Sequence, residues 1–530
     1  MTAVRASELH IEDPEGDDDL ATSEGIVVRA TARTRAERGD RVRVRGTVVE
    51  ELPGGDESNL TTTILRDASI EILTRRVDLP AAVRIGLGGR LPPDEIIDDD
   101  AFASFDPETD GIDFWESLES MRVALDPAVA IEPGGGRQGI WVVLDDDVGT
   151  SGRNRRGGIT AIPPDENPER IRLWSLRPRG DGPLPLVDVG DRLLGIEGIV
   201  SYAFGRFEVL STRPVEHQPR ALEPEVTSLS QEAMRFRIAS FNVHALDPED
   251  RDGSRDVADG RFDQAAAHIV TGLRAPAIVA LQEIEDDSGT IDDGTTSAEK
   301  GLELLISRIR EQGGPRYRSV SFDPKDGSSG GPPGSNIRVA LLFDPLRARL
   351  VPGSAHRLER DPRAFANARE PLVARFEILG VEVAVIVLHL TSRGGSDPLF
   401  GSRQPPEVAG VERRVRQARA TRLFVDEHLA ADESARIVVA GDLNDEPTGP
   451  ALVELTRGGS LSNLTELIPA SERSTFIFEG NGRALDHILV SRSLRNGARY
   501  KIVHRTAGKI RGSSDHEPVI ASLLVAERDD

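Results

Sequence analysis

A chain of 530 residues with 89 Asp and Glu against 65 Lys and Arg carries a formal charge of −24. Acidity of that size excludes a general binder of phosphate polymers, unless metal ions or local arginine clusters reverse the field. The absence of cysteine excludes disulfides and thiolate metal sites, so any metal must be held through oxygen and nitrogen.

A hydrophobic content of 38% supports real cores, and the length suggests two or three domains at roughly 100 to 200 residues each. No apolar run approaches the roughly 18 residues of a membrane span. The longest candidate, Val381 to Leu390, is broken by Glu382 and His389, so no membrane partner is expected. Met1 to His10 lacks the apolar stretch of a signal peptide.

Residues 1–217 read as all-β. Asp40 to Glu50 alternates charged and branched residues ahead of Gly54 and Gly55, and Ser69–Leu73, Gly139–Leu144 and Asp191–Tyr202 repeat the theme. Short strands at such spacing predict a small barrel or sandwich. Gly39-Asp40-Arg41 leads to Gly46-Thr47-Val48, and Gly190-Asp191-Arg192 leads to Gly198-Ile199-Val200, which hints at two related halves. The acidic turn Asp13 to Asp19 is read as a solvated loop, with Ca²⁺ binding as the alternative. Residues 218–233, polar and without a clear period, read as a linker.

From 234 to 527 the texture becomes α/β. Arg237–Val243 is a strand, and Phe262, Ala266, Ile269, Val270 and Leu273 then fall on one helical face. Ala277–Glu283 is a second strand, and Leu302, Leu305, Ile306 and Ile309 form another stripe, stopped by Gly313-Gly314. Between and after them lie an acidic loop, 286–296, and a Gly/Pro/Ser-rich one, 325–335. Further strands are expected at Ile337–Phe343, Val381–Leu388, Ile437–Ala440, Leu485–Val490 and Val519–Leu524, with an Arg-rich helix from Val411 to Leu429.

Residues capable of chemistry recur at the strand ends: Asn242, Glu283, His389, Asp442 with Asn444, Asp486, and Asp515-His516. Taken singly, each is more often a rim residue, a turn cap or a packed histidine; Gly441-Asp442-Leu443-Asn444 alone reads equally well as an Asx turn. Six such strand ends in one domain point to a site.

The text around them, Ser240-Phe241-Asn242-Val243, Leu281-Gln282-Glu283-Ile284-Glu285, His389 to Gly395, Gly441 to Asp445, Leu485 to Ser491 and Ser514-Asp515-His516, resembles in order and spacing the endonuclease/exonuclease/phosphatase (DNase I-like) superfamily. Arg369-Glu370-Pro371-Leu372, Pro398 to Pro406, Asp110 to Val123 and Asn167 to Ile171 resemble its large bacterial extracellular-nuclease branch, whose N-terminal region is regarded as OB-like. The resemblance implies a C-terminal DNase I-like four-layer α/β/β/α sandwich, preceded by an all-β OB-like region that positions polymer without supplying catalytic residues.

It implies roles as well. Glu283, with Asn242 and Asp515, would hold Mg²⁺ or Mn²⁺ through hard ligands. His516 and Asp442 would activate water, with Asp486 fixing the His516 ring. His389, oriented by Glu370, would donate across the phosphate, and Asn444 would hydrogen-bond it. Arg393 stands where the branch has lysine after Ser392, which alters substrate grip.

The function so implied is metal-dependent hydrolysis of nucleic-acid phosphodiesters, DNA in preference to RNA. Two alternatives keep the fold: a phosphoesterase acting on inositol phosphate or sphingomyelin, and an inactive nucleic-acid-binding protein. Relatives are mostly secreted, while Glu12 to Val27 resembles a segment they place after earlier strands and a signal peptide. The compartment is therefore left open.

Overall fold

The computed structural model describes residues 1–5, 8–17, 19–31, 35–136, 138–145, 149–176, 184–358, 360–361 and 363–525. Among them no helix is long and apolar enough to cross a membrane. The chain divides into two compact units, one of Met1–Leu222, Gly395–Val408 and Phe478–Asn481, the other of Glu223–Gly394, Ala409–Ile477 and the chain from Gly482.

The first unit is built on two sheets of one design. The first sheet comprises β1 (Ala3–Arg5), β2 (Glu8–Glu12), β3 (Gly25–Ala30), β4 (Arg41–Glu51) and β5 (Thr62–Thr74), ordered β1-β2-β3-β5-β4 with β3 parallel to β5. In the second sheet, Ala128–Ala130, Ile140–Leu144, Ile171–Ser175, Arg206–Ser211, Glu197–Ala203 and Arg122–Leu125 are neighbours in that order. Counted together, Arg122–Leu125 and Ala128–Ala130, separated only by Asp126 and Pro127, take the first place, and the order is again first, second, third, fifth, fourth. The third and fifth strands again run parallel.

The Gly-Asp-Arg repeats occupy equivalent places, each opening the approach to the fourth strand. Gly39 and Gly190 share a left-handed backbone, φ 91° and 90°, which is why both are glycine. Asp40 and Asp191 are both buried, and each accepts a backbone N–H from three residues upstream, Glu37 and Asp188, at 3.0 Å. Of the acidic turn Asp13 to Asp19, Asp18 lies outside the described residues. Asp13, Asp17 and Asp19 each accept a backbone N–H two residues on.

Sequence text that looked like a family signature is here the packing of this unit. Ile112, Phe114 and Trp115 are core, and the Trp115 indole donates to the Pro168 carbonyl at 3.3 Å. Asn167 donates to Asn481 at 2.7 Å, Tyr202 donates to the Phe400 carbonyl at 2.7 Å, and the Arg170 guanidinium lies 5.1 Å from the Phe400 ring.

Glu116, which ends the helix Gly111–Glu116, buries an Oε1 without a hydrogen-bond partner among the described residues, and burial pushes its carboxyl up to about 8, with Glu119, Asp113 and Glu50 adding to the effect. The folded chain thus keeps a proton that the unfolded chain loses above its ordinary value of 4.5, so stability falls as pH rises from there toward 8. Glu116→Gln is expected to flatten that fall, a gain of roughly 2–4 kcal/mol at the alkaline end. All three tryptophans, 115, 141 and 174, lie in this unit, so urea unfolding followed by tryptophan fluorescence reports on it. A variant that keeps the wild-type pH slope would refute the assignment.

The second unit stacks two sheets. One runs Arg318–Ser321, Arg338–Phe343, Ile278–Ile284, Arg235–Leu246, Val519–Leu524, Arg499–Ile502; the other runs Arg349–Leu350, Leu372–Ile378, Val381–His389, Arg436–Asp442, Asp486–Ser491, Leu461–Asn463. Strand pleating sends Phe236 and Ile238 inward to meet Val385, Val387, Val438 and Ile488 of the other sheet. The opposite face of the first sheet, Phe241, Val279 and Leu281, packs on Phe262, Ile269, Leu302, Leu305 and Ile309 of its helices. Ile386, Val439 and Leu489 pack outward on Ala418, Val425, Leu452 and Leu455. Both sheets are therefore buried on both faces, giving the expected α/β/β/α order.

The helices expected from 262 and 302 are Arg261–Ala267, continued by a wider turn to Gly272, and Glu299–Glu311; the Arg-rich helix is Val411–Ala431. The strand Leu372–Ile378 was not expected. It alternates Ala374, Phe376 and Ile378 inward with Arg375 and Glu377 outward.

Candidate active site

Three strands of the second sheet carry their chemistry in lateral register. His389 lies opposite Asp442 on the parallel neighbour, and Asp442 lies opposite Asp486 on the next, antiparallel strand. Gly441 lets those strands close: a Cβ there would lie 1.9 Å from the Leu388 carbonyl oxygen. The facing sheet contributes Asn242 and Glu283 from parallel neighbours.

The buried Asp442 is the hub. Its Oδ2 accepts from Asn242 Nδ2 at 3.1 Å and lies 3.4 Å from His389 Nε2 and 3.8 Å from His516 Nε2. Asn242 Nδ2 also donates to Glu283 Oε1 at 2.9 Å, and that oxygen lies 3.8 Å from His389 Nε2. Glu283 holds a positive φ of 58°, a strained backbone for a glutamate, while its Oε2 accepts the Ala245 amide at 3.1 Å. Glu283, His389 and Asp442 form one group whose ligand atoms converge within 4.8 Å, and Asp442, Asp486 and His516 form another.

The two imidazoles are pushed in opposite directions by their surroundings. His516 donates Nδ1 to Asp486 Oδ2 at 2.7 Å. Burial works against a charged ring there, but Asp486, Asp442 and Asp515 outweigh it and raise its pKa well above the ordinary value. His389 moves the other way: burial, then the charges of Arg369 and His516, push its pKa well down. Burial pushes the Asp442 carboxyl up to about 7, His516 opposing.

Several expected partners are placed elsewhere. Glu370 does not reach His389; it pairs with Arg357 at 2.6 Å, because Arg357 lies opposite Leu372 at the start of the strand that Glu370 precedes. His389 Nδ1 has no hydrogen-bond partner among the described residues. The residue of that motif whose charge does act on the site is Arg369, which is buried, donates to the Leu390 carbonyl at 2.5 Å and bears on Glu283 and Asp442.

Asp515 faces His244, Oδ1 to Nδ1 at 3.0 Å, with both side chains about half exposed. Burial opposes its ionisation, yet the His244 hydrogen bond and the His516 charge hold its carboxyl at about 2. Asn444 does not continue the strand beyond Asp442. Its φ of 48° turns the chain, its amide N–H donates to Asp442 Oδ1 at 2.9 Å as in an Asx turn, and its Nδ2 donates to the Leu390 carbonyl at 3.1 Å. Arg393 donates to Glu446 at 3.0 Å, and Arg483 also pairs with that carboxylate.

Arg369 and His244 are thus residues of the site that sequence reasoning passed over. Arg369 sat inside a recognised motif whose neighbour drew the role. His244, two residues past Asn242 on the first strand, carried a signal of its own as the one histidine on that strand.

Residues 239–516 match the model of the Endonuclease/Exonuclease/phosphatase family, and residues 84–219 match a Domain of unknown function (DUF8508). Among solved structures the chain is similar to humanized D. rerio TDP2, at 17% identity over 55% of this chain and 99% of that one, with a TM-score of 0.37. It is also similar to the human Nocturnin catalytic domain with bound sulfate anion, at 16% identity over 56% of this chain and 96% of that one, with a TM-score of 0.38. An endonuclease/exonuclease/phosphatase family protein from Bacteroides thetaiotaomicron gives 17% identity over 55% and 98%, with a TM-score of 0.37. No curated protein matches the chain.

Proposed function

The chain belongs to the endonuclease/exonuclease/phosphatase family, with a DNase I-like fold in its C-terminal part, and from that premise we propose that it is a divalent-metal-dependent nuclease hydrolysing nucleic-acid phosphodiesters, DNA in preference to RNA. The observation that carries the reading is Asp442 Oδ2, bracketed by Asn242 Nδ2, His389 Nε2 and His516 Nε2. A solvated rim would not bury two imidazoles together with the carboxylates of Asp442 and Asp486.

The donor set fits a hard divalent cation. Glu283 and Asp442 offer carboxylate oxygens in one group, Asn242 stands against both of them, and Asp515 lies on the loop that leads into the last strand. Mg²⁺ or Mn²⁺ bound there would offset the phosphate charge that a protein of net charge −24 otherwise repels, and Ca²⁺ is a third candidate.

The side chains divide the remaining work. Asp486 fixes the His516 ring so that Nε2 faces the Asp442 carboxylate, the geometry for taking a proton from water. His389, neutral, donates from Nε2 to a non-bridging phosphate oxygen. Asn444 holds the turn that presents Asp442, and with one Nδ2 hydrogen on the Leu390 carbonyl the other is the one offered to phosphate. In the front half, the shared strand order with parallel third and fifth strands supports the OB-like reading of the region.

Water activation by His516 requires the neutral ring, and its carboxylate neighbours raise its pKa. Activity is therefore lost as pH falls through that value, and the ionisation of Asp442 near 7 acts in the same direction. kcat/KM is expected to rise with pH, with the rising limb above the ordinary histidine range, and Asp486→Asn, which removes one of the charges holding the proton, should move that limb to lower pH. A flat or falling profile would contradict this assignment.

The function itself is tested by assaying the purified full chain with Mg²⁺ or Mn²⁺, and with EDTA, on plasmid DNA, single-stranded DNA, RNA, inositol phosphates and sphingomyelin. Metal-dependent cleavage of nucleic acid is expected. Turnover of only the inositol phosphates or sphingomyelin would replace this reading, and no turnover of any of them would leave a binding protein.

A further inference from the structure

On β4 the charge of the chain reverses. Residues 26–49 hold seven arginines against two acids, in a chain of net charge −24. Arg41, Arg43 and Arg45 alternate with Val42 and Val44, so the pleat sends the valines toward Ile70 and Ile72 and the three guanidinium groups to the open face, about 6.7 Å apart along the strand. On β5, Glu71 lies opposite Arg43 and Ser69 opposite Arg45.

These arginines are little committed within the protein. Arg43 pairs with Glu71 at 3.1 Å and Arg41 reaches Glu15 at 3.9 Å, with all four side chains more than half exposed, so each pair contributes about 0–1 kcal/mol. Arg45 is exposed and makes no ion pair among the described residues. β4 ends the sheet order, and edge strands do carry charge to block unwanted pairing. That need is met by charge of either sign; an acidic chain that places three like cations at successive outward positions accepts their repulsion for another reason.

We propose that this face of β4 binds the phosphate backbone of nucleic acid, the polyanion's identity resting on the nuclease reading above. Opposite Arg45, Arg43 and Arg41 on β5 stand Ser69, Glu71 and Thr74, with no aromatic ring for base stacking, so binding is electrostatic and blind to sequence.

The test uses the full chain carrying Glu283→Gln, to prevent cleavage, with a fluorescent single-stranded DNA of about 20 nucleotides titrated by anisotropy over a salt series. The triple variant Arg41→Gln/Arg43→Gln/Arg45→Gln is expected to bind about tenfold or more weakly at low salt, and to lower the slope of log K against log salt by about 2. Arg41→Lys/Arg43→Lys/Arg45→Lys should keep most of both, because counterion release follows the charge, which lysine retains. Unchanged affinity and slope in the glutamine variant, equal loss in the lysine variant, or retention on phosphatidylserine vesicles without DNA binding would each overturn the proposal. If wild type cleaves DNA while the glutamine variant binds as tightly, the face is wrong and the nuclease reading stands. If the arginine-dependent binding is present but wild type cleaves no nucleic acid, the face stands and the nuclease reading fails.

Discussion

His389→Ala and His516→Ala are each expected to lower kcat/KM for DNA cleavage by at least about 10²-fold, and the double variant should be little worse than the poorer single. Both Nε2 atoms face one Asp442 oxygen, at 3.4 and 3.8 Å, so the two rings address the same small volume. Groups that act in one transition state are non-additive, because losing either leaves the other with nothing to complete. The partners should differ in effect. Asp486 holds His516 at 2.7 Å, and Asp486→Asn should cost activity by releasing the ring and its charge. Glu370 is engaged with Arg357 at 2.6 Å, so Glu370→Gln should cost far less than His389→Ala. Near-normal cleavage by His389→Ala would place the protein outside a two-histidine mechanism.

Glu283→Gln is expected to abolish activity at ordinary Mg²⁺ and to weaken Mn²⁺ binding by at least about 10²-fold by calorimetry, since loss of groups that merely orient a ligand already costs up to that much. The fold should survive. An amide oxygen can still accept from Asn242, as the carboxylate does at 2.9 Å, and only the 3.1 Å bond from the Ala245 amide needs replacing. A carboxylate that served only to brace the strand end would show the reverse pattern: stability lost and the metal isotherm kept. An Mn²⁺ isotherm identical to wild type would remove Glu283 from the metal site.

What the sequence determined by itself is the set of strand ends and the nature of the groups they carry. The branched apolar runs in Arg237–Val243, Val381–Leu388 and Ile437–Ala440, and the 3.6-residue stripe through Leu302, Leu305 and Ile309, are local properties of the chain, so they survive without knowledge of its neighbours. The Gly-Asp-Arg repeat at 39 and 190 was legible for the same reason, since a left-handed glycine and a turn-closing aspartate form one local device, seen twice at φ 91° and 90°. The aspartate behind His516 was also within reach, because the strand from Asp486 carries its acid at its first residue.

Tertiary structure alone decided how the groups meet. Lateral register between strands far apart in sequence brings His389, Asp442 and Asp486 abreast, and the stacking of two sheets carries Asn242 to the Asp442 oxygen with Glu283 beside it. Side chains then choose partners by distance rather than by motif. Glu370 turns to Arg357 because the strand His356–Arg357 runs beside it, Asp515 takes His244, and Asn444 spends its Nδ2 on Leu390 because φ 48° bends the chain there. Likewise the segments Gly395–Val408 and Phe478–Asn481 lie in sequence amid the α/β half but pack with the first unit, where Phe400 closes a core with Phe207 and Tyr202. Pairings of this kind depend on long-range burial and register, and no local run of residues encodes them.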